Sequence, residues 1–328
     1  MSYKITDRLP SDSSKINEVA DFLEYSAWKN GLYSINEASN QMAMADEEHY
    51  TDNPEPGVDE FDIAEDARSE RFSNVLLHLE FRDRVGEDAY PFCIDRNYGV
   101  VRRKDKEFGH ASLIYVFLLL ATRLRMTRIE EGKHNGVWGY ILFEELCEQI
   151  LKYYLGSNSI TYIVGTSREI ERPDYSQTQF ARTVNEWCSK IGIGRKYKDH
   201  NYGQRDQLKD GGLDIAGWLP FRDNSDGFPL FLCQCKTGTN YEQQFNTNHS
   251  KFGQKFLDRD FGVQPLSVFM IADLRPRESW DLDINNCGIL FDRLRLMEYL
   301  PPKGFSQEFD SLVERIGLWV ETAKSVVD

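Results

Sequence analysis

Two apolar, strand-like segments constrain this chain more than any other feature. The first is Gly211-Gly212-Leu213-Asp214-Ile215, and twenty residues beyond its acid comes Gln234, within Phe231-Leu232-Cys233-Gln234-Cys235-Lys236. Successive side chains of a strand point to opposite faces. Leu213 and Ile215 therefore share one face and Asp214 takes the other. In the second segment Cys233 and Cys235 point into a core, while Gln234 and Lys236 leave the opposite face together. An acid, an amide and a lysine then converge on one side of a sheet, a grouping that suits a divalent metal and a phosphate.

At 328 residues the chain is long for one domain, and two or three structural units are expected. Hydrophobic residues make up 41%, enough to fill a sizeable core. The six cysteines (93, 147, 188, 233, 235 and 287) have no disulfide-like spacing. They read as reduced thiols packed as small hydrophobes, which points to the cytoplasm. Met1-Ser2-Tyr3-Lys4 leads into polar residues, so no secretory signal is expected. The apolar run from Leu113 to Ala121 is about half the roughly 20 residues that span a bilayer, so it predicts a buried helix and no membrane partner.

Charge is unevenly placed. Of the net −14, residues 1–100 carry 22 acidic and 9 basic side chains, and the remainder 31 and 30. The part holding the two strands is thus nearly neutral and leaves room for local basic patches, which keeps nucleic acid open as a partner. Ten acids and no lysine or arginine lie between Asp46 and Asp66, around Asn53-Pro-Glu-Pro-Gly57. This reads as a solvated acidic loop, or alternatively as a surface that shields a basic groove or docks on a basic partner.

Apolar spacing predicts a helix over Ile16–Asn30, strands or short helices at 74–81 and 100–103, and a break at Gly132–Gly136 where a domain boundary is placed. The division is 1–132, an acidic partner-binding or regulatory region, α/β or mostly helical, and 133–328. Trp138–Leu155 is the clearest helix, with Ile141, Leu142, Leu146, Ile150, Leu151 and Tyr154 on one stripe and Gly156 as its C-cap. Further helices are expected over 180–191, 252–261 and 309–326, and strands over 265–271 and 288–291. The fold class is α/β, a mixed β-sheet flanked by helices.

Hydrolysing a phosphodiester requires charge neutralised on the phosphate and an oriented water, and carboxylate-held divalent metals supply both. Magnesium needs only one or two protein carboxylates. Asp214 is the first candidate ligand, Gln234 offers an amide oxygen, and Lys236 can stabilise phosphate charge or position the water. A second negative ligand can come from the helix Gly139-Tyr-Ile-Leu-Phe143-Glu144-Glu145-Leu-Cys-Glu148. Glu144 and Glu148 share a face there, and Glu144 follows the apolar Phe143.

A helix with Gly-x-x-x-Phe-Glu, a strand with Asp and a strand with Gln-x-Lys together resemble the PD-(D/E)xK, restriction-endonuclease-like nucleases. The resemblance spans about residues 138–300. It implies a restriction-endonuclease-like core in which Glu144, Asp214 and Gln234 bind Mg2+ (or Mn2+) and Lys236 is the catalytic lysine. Leu213 replaces the proline of the family's name, and Gln234 replaces an acid, as in Mrr-like nucleases. Gly288-Ile-Leu-Phe-Asp-Arg293-Leu-Arg295-Leu, with the two strands, also resembles effector nucleases of bacterial antiphage systems, Lamassu-like ones included. The implied function is a metal-dependent DNA endonuclease acting on double-stranded DNA, with other subunits of a defence complex docked on the acidic N-terminal region. The alternative is an inactive nuclease-fold module that binds DNA or serves as a scaffold; an RNA substrate also stays open.

Lys251, Gln254 and Lys255 are candidate DNA-backbone contacts or a solvated helix face. Arg275, Arg277, Arg293 and Arg295 are read as phosphate contacts or as ion pairs with Asp273, Asp281, Asp283 and Asp292. The six histidines show no metal-ligand spacing, and neither a Walker loop nor a Gly-x-Ser-x-Gly elbow is present.

Overall fold

A computed structural model describes residues 16–35, 37–38, 60–105, 108–123, 138–164, 177–198, 212–223, 225–238, 241–245 and 249–327. The expected boundary at 132–136, most of the acidic loop and Gly211 lie outside them. The chain divides into two compact units, one of Met1–Leu124 with Gly317–Asp328 and one of Arg125–Ile316.

The first unit is α/β. Its elements are α1 (Ile16–Asn30), β1 (Leu32–Ser34), α2 (Glu60–Gly86), β2 (Phe92–Asp95), β3 (Val100–Arg103) and α3 (His110–Arg123). The strands form a sheet of order β1-β3-β2 with both pairs antiparallel. The Leu113–Ala121 run is the centre of α3, as its length predicts. No described helix is long and apolar enough to cross a membrane. Two expectations change in α2. Residues 74–81 belong to one helix of 27 residues, and 60–66, read as acidic loop, are its first turns. The helix is placed by what it buries: Val75, Leu79 and Arg82 are buried. Arg82 Nη1 lies 2.6 Å from Asp21 Oδ1 and 2.8 Å from Glu24 Oε1, two acids of α1. The hydroxyl of Tyr90 donates to Glu24 Oε1 at 2.8 Å, and that of Tyr115 to Glu24 Oε2 at 3.1 Å.

The second unit is built on a five-stranded mixed sheet. In chain order it contains α4 (Gly139–Leu155), β4 (Ile160–Ile163), α5 (Gln177–Ile191), β5 (Ile215–Trp218), β6 (Leu230–Lys236), α6 (Phe252–Phe256), β7 (Leu266–Ile271), α7 (Trp280–Cys287), β8 (Ile289–Phe291) and α8 (Arg293–Glu298). The last helix, α9 (Gln307–Val327), begins in this unit. Strand order is β4-β5-β6-β7-β8; β4, β5 and β6 run antiparallel, and β7 and β8 continue parallel to β6. β6 is therefore central, and its register sets Gln234 opposite Phe269 and Lys236 opposite Ile271.

Helices cover both faces of β6. On the side of Leu230 and Leu232, Phe180, Val184 and Trp187 of α5 complete a core with Ala216 and Trp218. On the other side lies α4. A Cβ on Gly217 would sit 3.0 Å from both Leu151 and Leu155, so glycine is what lets this helix approach the sheet. α4 ends where expected, with Gly156 at φ +88° donating its amide to Lys152 and Tyr153 carbonyls. The outward face assigned to Gln234 is corrected here. It is a second buried face, because a strand covered by helices on both sides alternates between two cores rather than between core and water.

Short elements escaped the sequence reading. β4 is a four-residue edge strand, α7 and α8 are two short helices, and the helix expected over 252–261 stops at Phe256. α8 is capped by Asp292, whose side chain accepts from the Arg295 amide at 3.2 Å. Between α7 and β8 the chain turns at Gly288, at φ +82°, where an added Cβ would stand 2.4 Å from the Ser267 carbonyl oxygen of β7. Gly288→Ala should therefore destabilise the protein by at least about 1–3 kcal/mol, the cost of a strained backbone before the clash is added. A urea unfolding midpoint equal to that of the wild type would contradict it.

Candidate functional site

Asp214 stands at the entry of β5. Its amide donates to the Cys233 carbonyl at 2.9 Å, and its own carbonyl accepts from Val164 at 2.8 Å. The chain is thus held on both sides, toward β6 and toward β4. The carboxylate turns back on the sheet: Oδ2 accepts from the Cys235 amide at 2.7 Å. That bond places the acid beside the one residue lying between Gln234 and Lys236. Asp214 is 5% exposed and Gln234 3%. Lys236 ends β6, half-buried, and its carbonyl accepts from the Ala272 amide at 3.1 Å.

Glu144 comes from α4, 7% exposed, with Oε2 fully shielded. The helix faces a thiol cluster formed by its own Cys147 and by Cys233 and Cys235 of β6. The last two sulfurs are 3.9 Å apart, and Cys147 is hydrogen-bonded to Cys235. Burial pushes the thiols of Cys147 and Cys233 well above their ordinary range, and the charge of Glu144 adds to both shifts. Asp214 adds to that of Cys233 as well. Burial also opposes ionisation of Cys235, but hydrogen bonds from the two other thiols and the charge of Lys236 outweigh it and lower its pKa. Glu144, Asp214 and Lys236 therefore act electrostatically on one small cluster of sulfurs.

The other acids of α4 have structural partners. Glu145 forms a bidentate pair with Arg315, and Glu148 accepts from Thr161 and from Gln149. Of the three carboxylates on the helix, Glu144 is the buried one aimed at the sheet. Glu144, Asp214 and Gln234 are two carboxylates and an amide oxygen, hard donors of the kind Mg2+ or Mn2+ takes; Glu144 comes in on the α4 side of β6, and Gln234 leaves β6 on its other side. Among the described residues no group of three or more His, Cys, Asp and Glu side chains is placed to hold a metal. Gln234 would have to complete the set.

His249 is the residue that spacing did not single out. It is buried, its Nε2 lies 2.8 Å from the Gly212 carbonyl, and its amide donates to Ser267 Oγ at 3.2 Å. It fastens the turn two residues ahead of Asp214. Embedded in the polar stretch after β6, it gave no periodic signal.

The arginines of the C-terminal segment resolve mainly into internal contacts. Arg275 bridges Asp283 and Glu242, and Arg277 pairs with Asp292 at 3.1 Å. Arg293 is fully buried, its Nε donating to the Ala272 carbonyl at 3.0 Å. Arg277 and Arg295 both stack on the Trp280 ring at 4.2 Å. Burial raises the Asp292 pKa against the pull of Arg277.

Comparison with protein families, with curated proteins and with solved structures finds no match to this chain.

Proposed function

We propose that the second unit is a metal-dependent nuclease of the PD-(D/E)xK type, cutting double-stranded DNA. The observation that carries the reading is the placement of Asp214. Its carboxylate is hydrogen-bonded between Gln234 and Lys236, and it shares a buried thiol cluster with Glu144. Both carboxylates are buried and both act on the Cys233 thiol, and a divalent cation held by them would offset the cost of burying their charge. The order of elements agrees with the resemblance: a helix with Glu144, then β5 entered through Asp214, then β6 with Gln234 and Lys236.

Asp214, Glu144 and Gln234 would hold Mg2+ or Mn2+. When bound, the ion supplies charge neutralisation on the phosphate and acidifies the attacking water. Lys236, the last residue of β6, stabilises negative charge that develops on the phosphoryl oxygens. The Cys235 amide fixes Asp214, so the acid is aligned before substrate arrives. The acidic first unit serves as the docking or restraining part, as in an effector subunit of a defence complex.

The neutral Gln234 favours a second reading, a nuclease fold kept as a DNA-binding scaffold. Isothermal titration with Mn2+ separates the two. A catalytic site takes up Mn2+ saturably and loses that uptake in Asp214→Ala, with Mg2+ competing. Mn2+ uptake that is absent, or unchanged in Asp214→Ala, would reject the metal site.

A further inference from the structure

The basic cluster at 190–198 and the one on α6 are far apart in sequence but form one surface. Tyr197 and Leu257 pair in an antiparallel bridge. The Lys198 amide donates to the Phe256 carbonyl and the Asp258 amide to the Lys196 carbonyl, both at 2.8 Å. Arg259 reaches the Gly194 carbonyl at 3.2 Å, and Lys198 Nζ donates to the Gln254 carbonyl. Every second residue of 193–197 is buried, with Arg195 held inside by Asp226 and by the Asp260 carbonyl. The alternate residues face out.

The outer side of this ribbon carries Lys196, Lys251, Lys255 and Arg259, all exposed, with Lys198 half-buried. Its acids are Asp258 and Asp260, which accept from the amides of Lys196 and Phe261. Five cations against two anions make a basic strip on a chain whose net charge is −14. Its aromatic rings (Tyr197, Phe252 and Phe256) are buried in the core. Among the described residues the strip thus has no fully exposed ring for bases to stack on, and what it offers is chiefly charge.

The same segment begins at His249, against the Gly212 carbonyl that precedes Asp214. We propose that this ribbon is the surface that holds the phosphate backbone of duplex DNA, independently of base sequence, next to the Asp214 site. Its purpose rests on the nuclease reading; its test does not. Backbone contacts release counterions, so binding weakens linearly in log salt by about 0.9 per phosphate neutralised.

The test is fluorescence anisotropy of a labelled mixed-sequence DNA duplex across a salt series, using the full chain. The triple variant Lys196→Glu/Lys255→Glu/Arg259→Glu should bind about 100-fold more weakly at fixed salt, with a slope shallower by about 2–3. Its melting temperature should fall by no more than a few degrees, since the Lys196 and Lys255 side chains are exposed and Arg259 gives up one exposed hydrogen bond to the Gly194 carbonyl. Lys303→Glu, an exposed lysine of the same unit on a segment that is not part of the ribbon, should bind as the wild type does. A triple variant with wild-type affinity and slope overturns the proposal, and so does single-stranded DNA held as tightly as duplex. Ribbon-dependent binding by a protein that takes up no Mn2+ upholds the ribbon and rejects the nuclease reading. Cleavage with an unchanged KM in the triple variant does the reverse.

Discussion

Lys236→Ala should slow Mg2+-dependent relaxation of supercoiled plasmid by about 10²–10³-fold, the usual loss when one preorganised charge-stabilising group is removed. The side chain leaves the last position of β6, half-buried, while the strand is held by its own ladder to β5 and β7. Neither the ladder nor the Asp214–Cys235 hydrogen bond involves the lysine amine. The variant should therefore melt like the wild type and bind Mn2+ through the same groups. Cleavage at the wild-type rate would remove Lys236 from the chemistry.

Arg82→Met should destabilise the first unit by about 3–5 kcal/mol, because it takes from the buried Asp21 and Glu24 the guanidinium that lies against both. Arg82, Asp21 and Glu24 are all fully buried, and Arg82 also donates to the Asn17 carbonyl at 3.2 Å. Tyr90 and Tyr115 both direct hydroxyls at Glu24, so they satisfy its oxygens but cannot neutralise it. Burial alone would lower the Arg82 pKa, yet the two carboxylates hold it well above its ordinary value. The guanidinium thus stays charged at any working pH. Adding Asp21→Asn and Glu24→Gln to Arg82→Met should recover much of the loss, since it removes the buried negative charges along with the positive one. Urea unfolding of the single and triple variants checks this. A single variant with an unchanged midpoint, or a triple variant worse than the single, would contradict it.

Long periodic segments were legible from sequence. The leucine and isoleucine stripe of α4 and its closing Gly156, the apolar block of α3 and the apolar runs of β6 and β7 carry one pattern over enough residues to fix their type. Less visible was anything set by what lies across the sheet. Gln234 has the pattern of an outward residue, but its face of the sheet is covered by the α5 core over Leu230 and Leu232 and by the cluster around its register partner Phe269. Arg195 reads as one of a basic cluster until its partner Asp226, 31 positions away, is known. β4 is too short for a period. The candidate site was legible as residue types at a spacing, since Asp214, Gln234 and Lys236 lie on adjacent elements. The approach of Glu144 was not, because it depends on Gly217 letting α4 close on the sheet. His249 was hidden for the same reason, as its contact with Gly212 spans 37 positions.

The most direct measurement is conversion of supercoiled plasmid by the full chain with Mg2+, with EDTA, and by Asp214→Ala with Mg2+. A metal-dependent nuclease site at Asp214 predicts nicking or linearisation in the first reaction only. Cutting that persists in EDTA or in Asp214→Ala would contradict it.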